Sequence, residues 1–419
     1  MRRVRASRKE NQSVEVVTEQ AESPLEEGAV SVAMIQALIP LGLRAVEDAL
    51  QQEVTQLAGV RYAHGDGHPD VVRWGQQSGS VFLADQKIPL CVPRVRDRRA
   101  KRELPLPTYQ QLQTPRAMDY GLFRRVLGGL SCREYHRAAE AVPKAFGLTK
   151  SSVSRRFRRA SERELRLLQE RRLDDRQWLV LVLDGKAFAD DGIVIALGVT
   201  TKGEKVILGL VQTASENQRA CAAFLRELVE RGFAGTGRLL VVLDGAKGLR
   251  AAVQEVFGSR SEVQRCQWHK RENVLSYLPK SEHPIWRRKL QAAYAHPTYA
   301  AAKRALDRLE RELTLRNVSA AASLREGMEE TLTLHRLGVF TALGRSFKTT
   351  NLLESVMARV EEKTARVDHW RTSDQKLRWC SAALLAVEAQ FRKVKGYTNL
   401  PLLAKALEAK ITPSIRDAA

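Results

Sequence analysis

No stretch of this chain is apolar enough for long enough to cross a bilayer. The longest run without a charged residue, 28–43, is short and mixed, whereas a spanning helix needs about 20 predominantly apolar residues. A basic start leading into an apolar core and a small-residue cleavage pattern is also missing, so no secretory leader is expected. Cysteine is scarce: Cys91, Cys132, Cys221, Cys266 and Cys380 are five in 419 residues, odd in number and scattered. That excludes a disulfide scaffold and fits a reducing, cytoplasmic compartment. Acid is in short supply as well. Asp and Glu number 48 against 69 Lys and Arg, a net charge of +21. A surplus of that size points to a polyanionic partner, nucleic acid before membrane.

What is present suits a globular protein of two or three domains, with 44% hydrophobic and 28% charged residues. The basic charge is concentrated. Residues 91–177 hold 22 Lys and Arg against 10 Asp and Glu, more than half of the whole surplus.

Texture divides the chain. Residues 1–30 are polar and mixed in charge and read as a mobile tail. Residues 31–105 read as an N-terminal helix, with apolar spacing at Ile35, Leu38, Ile39, Leu43, Val46 and Leu50, followed by short strands. Gln77-Ser78-Gly79 separates a strand at 71–74 from one at 81–83, and 88–92 is a third. The basic run 93–99 reads as a linker or a groove-contacting arm.

Residues 106–175 read as a helical DNA-binding domain. Ser131-Cys132-Arg133-Glu134 is a capping-box pattern opening a helix that carries Tyr135, Ala138, Ala139 and Val142. Phe146-Gly147-Leu148 supplies a turn, and a second helix follows with Val153, Phe157 and Ala160 inward. Helix, Gly-containing turn and a Ser/Arg-rich helix form a helix-turn-helix pattern. Lys150, Ser151, Ser152, Ser154, Arg155 and Arg158 would face outward, toward base edges and phosphates.

From residue 178 the pattern becomes α/β. Strands are predicted at 178–183, 193–200, 205–212 and 239–243, with a short one at 263–266 and helices at 217–231 and after Gly245. The order β-β-β-α-β-α is that of a ribonuclease-H-like core: a mixed sheet flanked by helices, here at 176–280. Residues 281–345 are helical and highly charged and read as an all-helical insertion. The core resumes at 346–395 with helices at 351–365 and 376–392, and 396–419 reads as a C-terminal tail.

Asp184 and Asp244 each end an apolar strand and each precede Gly. Such strands lie side by side in this order, and open α/β sheets bind ligands at the carboxyl ends of strands. Clustered carboxylates are costly unless cations neutralise them, and Mg²⁺ prefers hard oxygen donors. A third carboxylate belongs on a later helix. Glu354 lies in the first turn of one, while Glu361, Glu362 and Asp368 read as a solvated face.

Several segments carry a resemblance. They are Asp184-Gly185, Ile195-Ala196-Leu197-Gly198-Val199, Leu208-Gly209-Leu210 and Ser215-Glu216-Asn217. Further on come Asp244-Gly245-Ala246-Lys247-Gly248-Leu249, Gln264-Arg265-Cys266-Gln267-Trp268-His269-Lys270-Arg271-Glu272-Asn273-Val274, Thr350-Asn351-Leu352-Leu353-Glu354, and the tail from Gly396-Tyr397 through Leu400-Pro401 and Leu403. In these the chain resembles the Mutator-type bacterial insertion-sequence transposases, a DDE family with a ribonuclease-H-like catalytic domain.

The resemblance implies that Asp184, Asp244 and Glu354 form a catalytic triad holding two Mg²⁺ ions, for which Mn²⁺ can substitute. It implies double-stranded DNA as partner, both terminal inverted repeats and target, and a homodimer or higher assembly. It makes Cys266 and His269 the family's C-x-x-H signature. Two ligands fall short of a structural zinc site, so packing or hydrogen bonding is the expected role. Arg265 and Lys270 would face phosphates. Trp370-Arg371 would contact DNA, or be a core aromatic beside a surface Arg. Asp190 and Asp191 would compete for the metal or line a loop. Two other functions fit parts of the pattern: a ribonuclease-H-like nuclease or resolvase that cuts without joining, and a helix-turn-helix regulator.

Overall fold

The computed structural model describes residues 24–62, 70–83, 86–113, 118–133, 135–138, 145–213, 217–233 and 237–409. Most of the tail expected at 1–30 lies outside them, but 24–30 are helical. The chain divides into two compact units, one of residues 1–118 and 137–149, the other of 119–136 and 150–419. Among the described residues no helix is long and apolar enough to cross a membrane.

The first unit pairs a helix with an antiparallel sheet. Helix α1 (Pro24–Ala58) precedes β1 (Val71–Leu83), β2 (Gln86–Asp97), β3 (Arg102–Leu104) and α2 (Pro107–Gln113), with sheet order β1-β2-β3. Val46, Leu50 and Val54 of α1 pack on Val81, Leu90, Val92 and Val95. The two strands expected at 71–74 and 81–83 are one. Gly79 is no turn residue; a Cβ there would run into Tyr109 and Val92. The basic arm expected at 93–99 is also corrected, because Pro93 to Asp97 are the last part of β2. Pro93 sits opposite the irregularity between Arg73 and Gln76, where a missing N–H costs little. Arg94 pairs with Glu103, and Arg96 lies over the Trp74 ring.

The expected helix-turn-helix is divided. Helices α3 (Met118–Leu127) and α4 (Tyr135–Ala138) precede α5 (Lys150–Glu170). Residues 139–144 lie outside the described ones, and 137–149 belong to the first unit while α5 belongs to the second. Phe146, placed in the turn by the sequence, exchanges backbone hydrogen bonds with Lys87 of β2.

The second unit is built on a five-stranded mixed sheet. Its strands are β4 (Trp178–Phe188), β5 (Asp191–Thr200), β6 (Lys205–Gln212), β7 (Leu239–Leu243) and β8 (Ser261–Arg265), in the order β6-β5-β4-β7-β8. β4 is antiparallel to β5 and parallel to β7. Its unbroken apolar run suits a central strand covered on both faces. Helices α6 (Gln218–Glu230) and α7 (Lys247–Phe257) make the crossovers. Phe224, Leu228, Leu249 and Val253 cover one face with Leu181, Leu183, Val241 and Leu243.

After α8 (Gln267–Leu275) the chain is helical, through α9 (His283–Tyr294), α10 (Tyr299–Arg316), α11 (Val318–Arg325), α12 (Met328–Thr331), α13 (Thr333–Arg336) and α14 (Phe340–Phe347). These helices have a core of their own, with Leu290, Leu306, Leu313, Leu324 and Leu332. Helices α15 (Asn351–Thr364) and α16 (Ser373–Glu388) return to the sheet, α15 against β4 and α16 against β6. The tail expected from 396 is corrected too. A last helix, α17 (Leu400–Glu408), buries Leu400, Leu403 and Leu407.

Candidate active site

The parallel register of β4 and β7 sets the first two carboxylates. Val182 pairs with Val242, so two residues further on Asp184 comes level with Asp244. Side chains alternate along a strand, so both leave the face that Val182 and Val242 leave. Neighbouring strands lie about 4.8 Å apart. Asp184 is 2% exposed; Asp244 is half-buried, its Oδ1 accepting from the Ala246 N–H at 3.0 Å. One expectation needs correcting. Asp184 does not end its strand, since β4 runs on to Phe188 in its hairpin with β5.

The same face is covered by α15. Leu353, Val356, Met357 and Val360 recur at helical spacing and are all buried. Each contributes about 2 kcal/mol, which offsets the cost of bringing the polar Glu354 in with them. Glu354 is half-buried in the first turn.

The Cys266–His269 segment connects these pieces. The Cys266 N–H donates to Leu243 O at 2.8 Å, next to Asp244, and the Gln267 N–H donates to Lys348 O at 3.0 Å, just before α15. Cys266 is fully buried, which pushes its thiol up, and its Sγ accepts from the His269 N–H at the start of α8. Thr350 Oγ1 lies 3.4 Å from His269 Nδ1 and 3.2 Å from Glu354 Oε1. A hydroxyl has one proton to give. The assignment that satisfies the His269 and Glu354 contacts has His269 Nδ1–H donating to Thr350 and Thr350 donating to Glu354, with Cys266 Sγ 3.7 Å from the same hydroxyl. Burial lowers the His269 pKa, Asp244 and Glu354 pull it up, and Lys186 lowers it again. Both carboxylates thus act on one imidazole. No role for Thr350 is legible in the sequence, because Cys266 and His269 are 84 and 81 residues away from it.

Arg265 and Lys270, expected to face phosphates, are turned inward. They are 5% and 1% exposed. Arg265 donates to Gly245 O at 2.7 Å and Glu326 O at 3.0 Å. It threads between Gly245 and Gly327, both with positive φ, and a Cβ on either would collide with its guanidinium. Lys270 donates to Ser323 O at 2.7 Å and to Glu326.

On α5, Lys150, Ser151, Ser154, Arg155 and Arg158 are exposed and Ser152 is half-buried. Arg158 is paired with Glu162 at 2.8 Å. The opposite side packs on α16, with the Phe157 ring tilted against Trp379 at 4.4 Å between centroids and Arg378 donating to Ser161. Trp370 is half-buried between Phe188 and Trp379. Arg371 lines a cleft of about 380 Å³ with Arg133, Lys363 and Arg366. Asp190 is exposed in the turn after β4, and Asp191 is held by Lys376 at 2.9 Å and by Gln212. The Lys376 hydrogen bond holds the Asp191 carboxyl below its ordinary value.

Among the described residues, no three His, Cys, Asp or Glu side chains are gathered closely enough to ligate an ion as they stand. Asp184, Asp244 and Glu354 are nonetheless hard carboxylates, two on neighbouring strands and one on a helix packed against β4, and such donors would suit Mg²⁺.

Comparison with known proteins agrees along most of the chain. The model of the Mutator family of transposases matches residues 17–393. The transposase for insertion sequence element ISRM5 of Rhizobium meliloti is 26% identical over 392 residues, covering 89% of this chain and 95% of that protein. The transposase for IS256 in transposon Tn4001 of Staphylococcus aureus is 27% identical, over 69% of this chain and 74% of its own length. That for IS6120 of Mycolicibacterium smegmatis is 29% identical over 57% of this chain and 74% of its own length. The chain belongs to the Mutator family of transposases.

Proposed function

We propose that this transposase binds the terminal inverted repeats of its element, cleaves there, and joins the freed 3′-hydroxyl to target DNA, with Asp184, Asp244 and Glu354 as its catalytic carboxylates. The observation that carries this is the in-register placement of Asp184 and Asp244 at the centre of the sheet, with Glu354 fastened beside them through Thr350 and His269. The strand order supports a ribonuclease-H-like core. The three carboxylates would hold two Mg²⁺ ions, or Mn²⁺ in their place. Such ions, when bound, stabilise the attacking and leaving oxygens of phosphoryl transfer.

The chain's own residues position the donors. Thr350 orients the Glu354 carboxylate, and the Arg265 contact to Gly245 fixes the loop that carries Asp244. No side-chain nucleophile is needed, since water and then the DNA 3′-hydroxyl attack. The exposed side of α5 would contribute contacts to the element end. Pairing two ends calls for at least a homodimer, working on the bacterial nucleoid in the cytoplasm.

The test is a strand-transfer assay with purified protein, Mg²⁺ and a duplex carrying the element's end. Joined product from wild type, and none from Asp244→Ala or Glu354→Ala, is expected. Cleavage without joining would make the protein a nuclease or resolvase, and binding without metal-dependent chemistry would make it a regulator.

A further inference from the structure

A second basic cleft lies on the flank of α15. Its volume is about 480 Å³, and Lys205, Ser355, Arg359, Gln390, Phe391 and Arg392 line it. It brings together three cations and no carboxylate. Among the described residues none of the three cations has a carboxylate partner. Burial and the nearby Arg359 both push the Lys205 ammonium below its ordinary value. Like charges gathered without a counter-ion repel one another, and an anion entering the cleft relieves that repulsion.

We propose that this cleft grips a phosphodiester of the DNA backbone. Arg359 and Arg392 offer forked donors, Lys205 a point charge, and Ser355 and Gln390 neutral donors, a set matched to phosphate oxygens. A free nucleotide fits less well. The one aromatic ring in the lining, Phe391, already carries the Lys205 ammonium 4.8 Å from its centroid, so a base would have to displace that cation to stack on the same face. Ser355 follows Glu354 directly, and Arg359 lies about 7.5 Å beyond Glu354 along the same helix. A strand held here is therefore fixed to the element that carries the third carboxylate. The inference rests on the transposase reading.

The experiment measures affinity of the full chain for a duplex of arbitrary sequence across a salt series. The variants are Lys205→Ala/Arg359→Ala/Arg392→Ala, and the doubly reversed Arg359→Glu/Arg392→Glu. The latter changes only exposed positions, so it stays interpretable where replacing Lys205 disturbs β6. Affinity is expected to fall about tenfold or more near 0.1 M salt, with the log–log salt slope smaller by about 0.9 per lost contact. Arg359→Lys/Arg392→Lys should keep most of the binding. Wild-type affinity and slope in both charge variants would overturn the proposal. So would protection of wild type alone by inorganic phosphate or a mononucleotide with DNA binding unaltered, which would make the cleft a site for free phosphate. If wild type itself binds no duplex, the transposase reading fails, and the cleft's role in DNA binding with it.

Discussion

Two basic segments of this chain look alike in sequence and behave oppositely in the fold. On α5, Arg155 and Arg158 stand in solvent. At the β8–α8 junction, Arg265 and Lys270 are buried and bound to carbonyls of the helical insertion. A basic residue is a candidate for phosphate only where the chain supplies no acceptors of its own. Gly245, Ser323 and Glu326 supply them at the junction. At α5 the Glu162 carboxylate forms an exposed pair with Arg158 of the kind worth about 0.5 kcal/mol or less.

The largest test of this contrast is Arg265→Ala. It strands two carbonyls and empties the passage between Gly245 and Gly327, so a loss of about 2–3 kcal/mol is expected in urea denaturation. The salt dependence of DNA binding should not move. A stable variant with a reduced salt slope would reverse the assignment. Next is Thr350→Val, which keeps the shape and removes the hydroxyl that serves His269 and Glu354. It should cost about 1–2 kcal/mol, and Thr350→Ser should restore most of that, along with strand joining. Arg155→Ala/Arg158→Ala should change stability by only about 0.5 kcal/mol. Instead it should lower the salt slope of DNA binding by up to about 2.

The smallest effect concerns a third buried base. His335 is 3% exposed, is stacked on Phe340, and has its pKa lowered chiefly by burial. A base whose pKa is depressed on folding stabilises the fold above its unfolded value of about 6.5, and that contribution is lost as pH falls toward the folded value. The urea midpoint should therefore drop between neutral and mildly acidic pH, and His335→Gln should flatten that drop.

Strands that finish their hydrophobic run at a turn were legible: β6 and β7 lie where the apolar pattern puts them. β4 was cut short because Asp184-Gly185 looks like a turn. The actual turn is Ala189-Asp190, two non-glycine residues with positive φ, and the Asp191-Gly192 pair that follows already belongs to β5. The pair of aspartates could be read because each follows an apolar strand. Thr350 and the inward direction of Arg265 could not, since each also needs a partner more than 60 residues away, His269 for the one and Glu326 for the other. Charge reports on composition, and direction emerges only when distant segments meet.

The hydrogen bond from the Gln267 N–H to Lys348 O carries a further consequence. The chain leaves the sheet after Arg265 and, 81 residues past Gln267, comes back to it at Lys348. The helical excursion is thus a closed detour whose two ends are fastened together. The distance from Asp244 to Glu354 is set by that fastening rather than by the length of chain between them. Midway along it, the segment from Ser323 to Gly327 is tied back to Arg265 and Lys270, so the detour grips the sheet from its middle as well as from its ends.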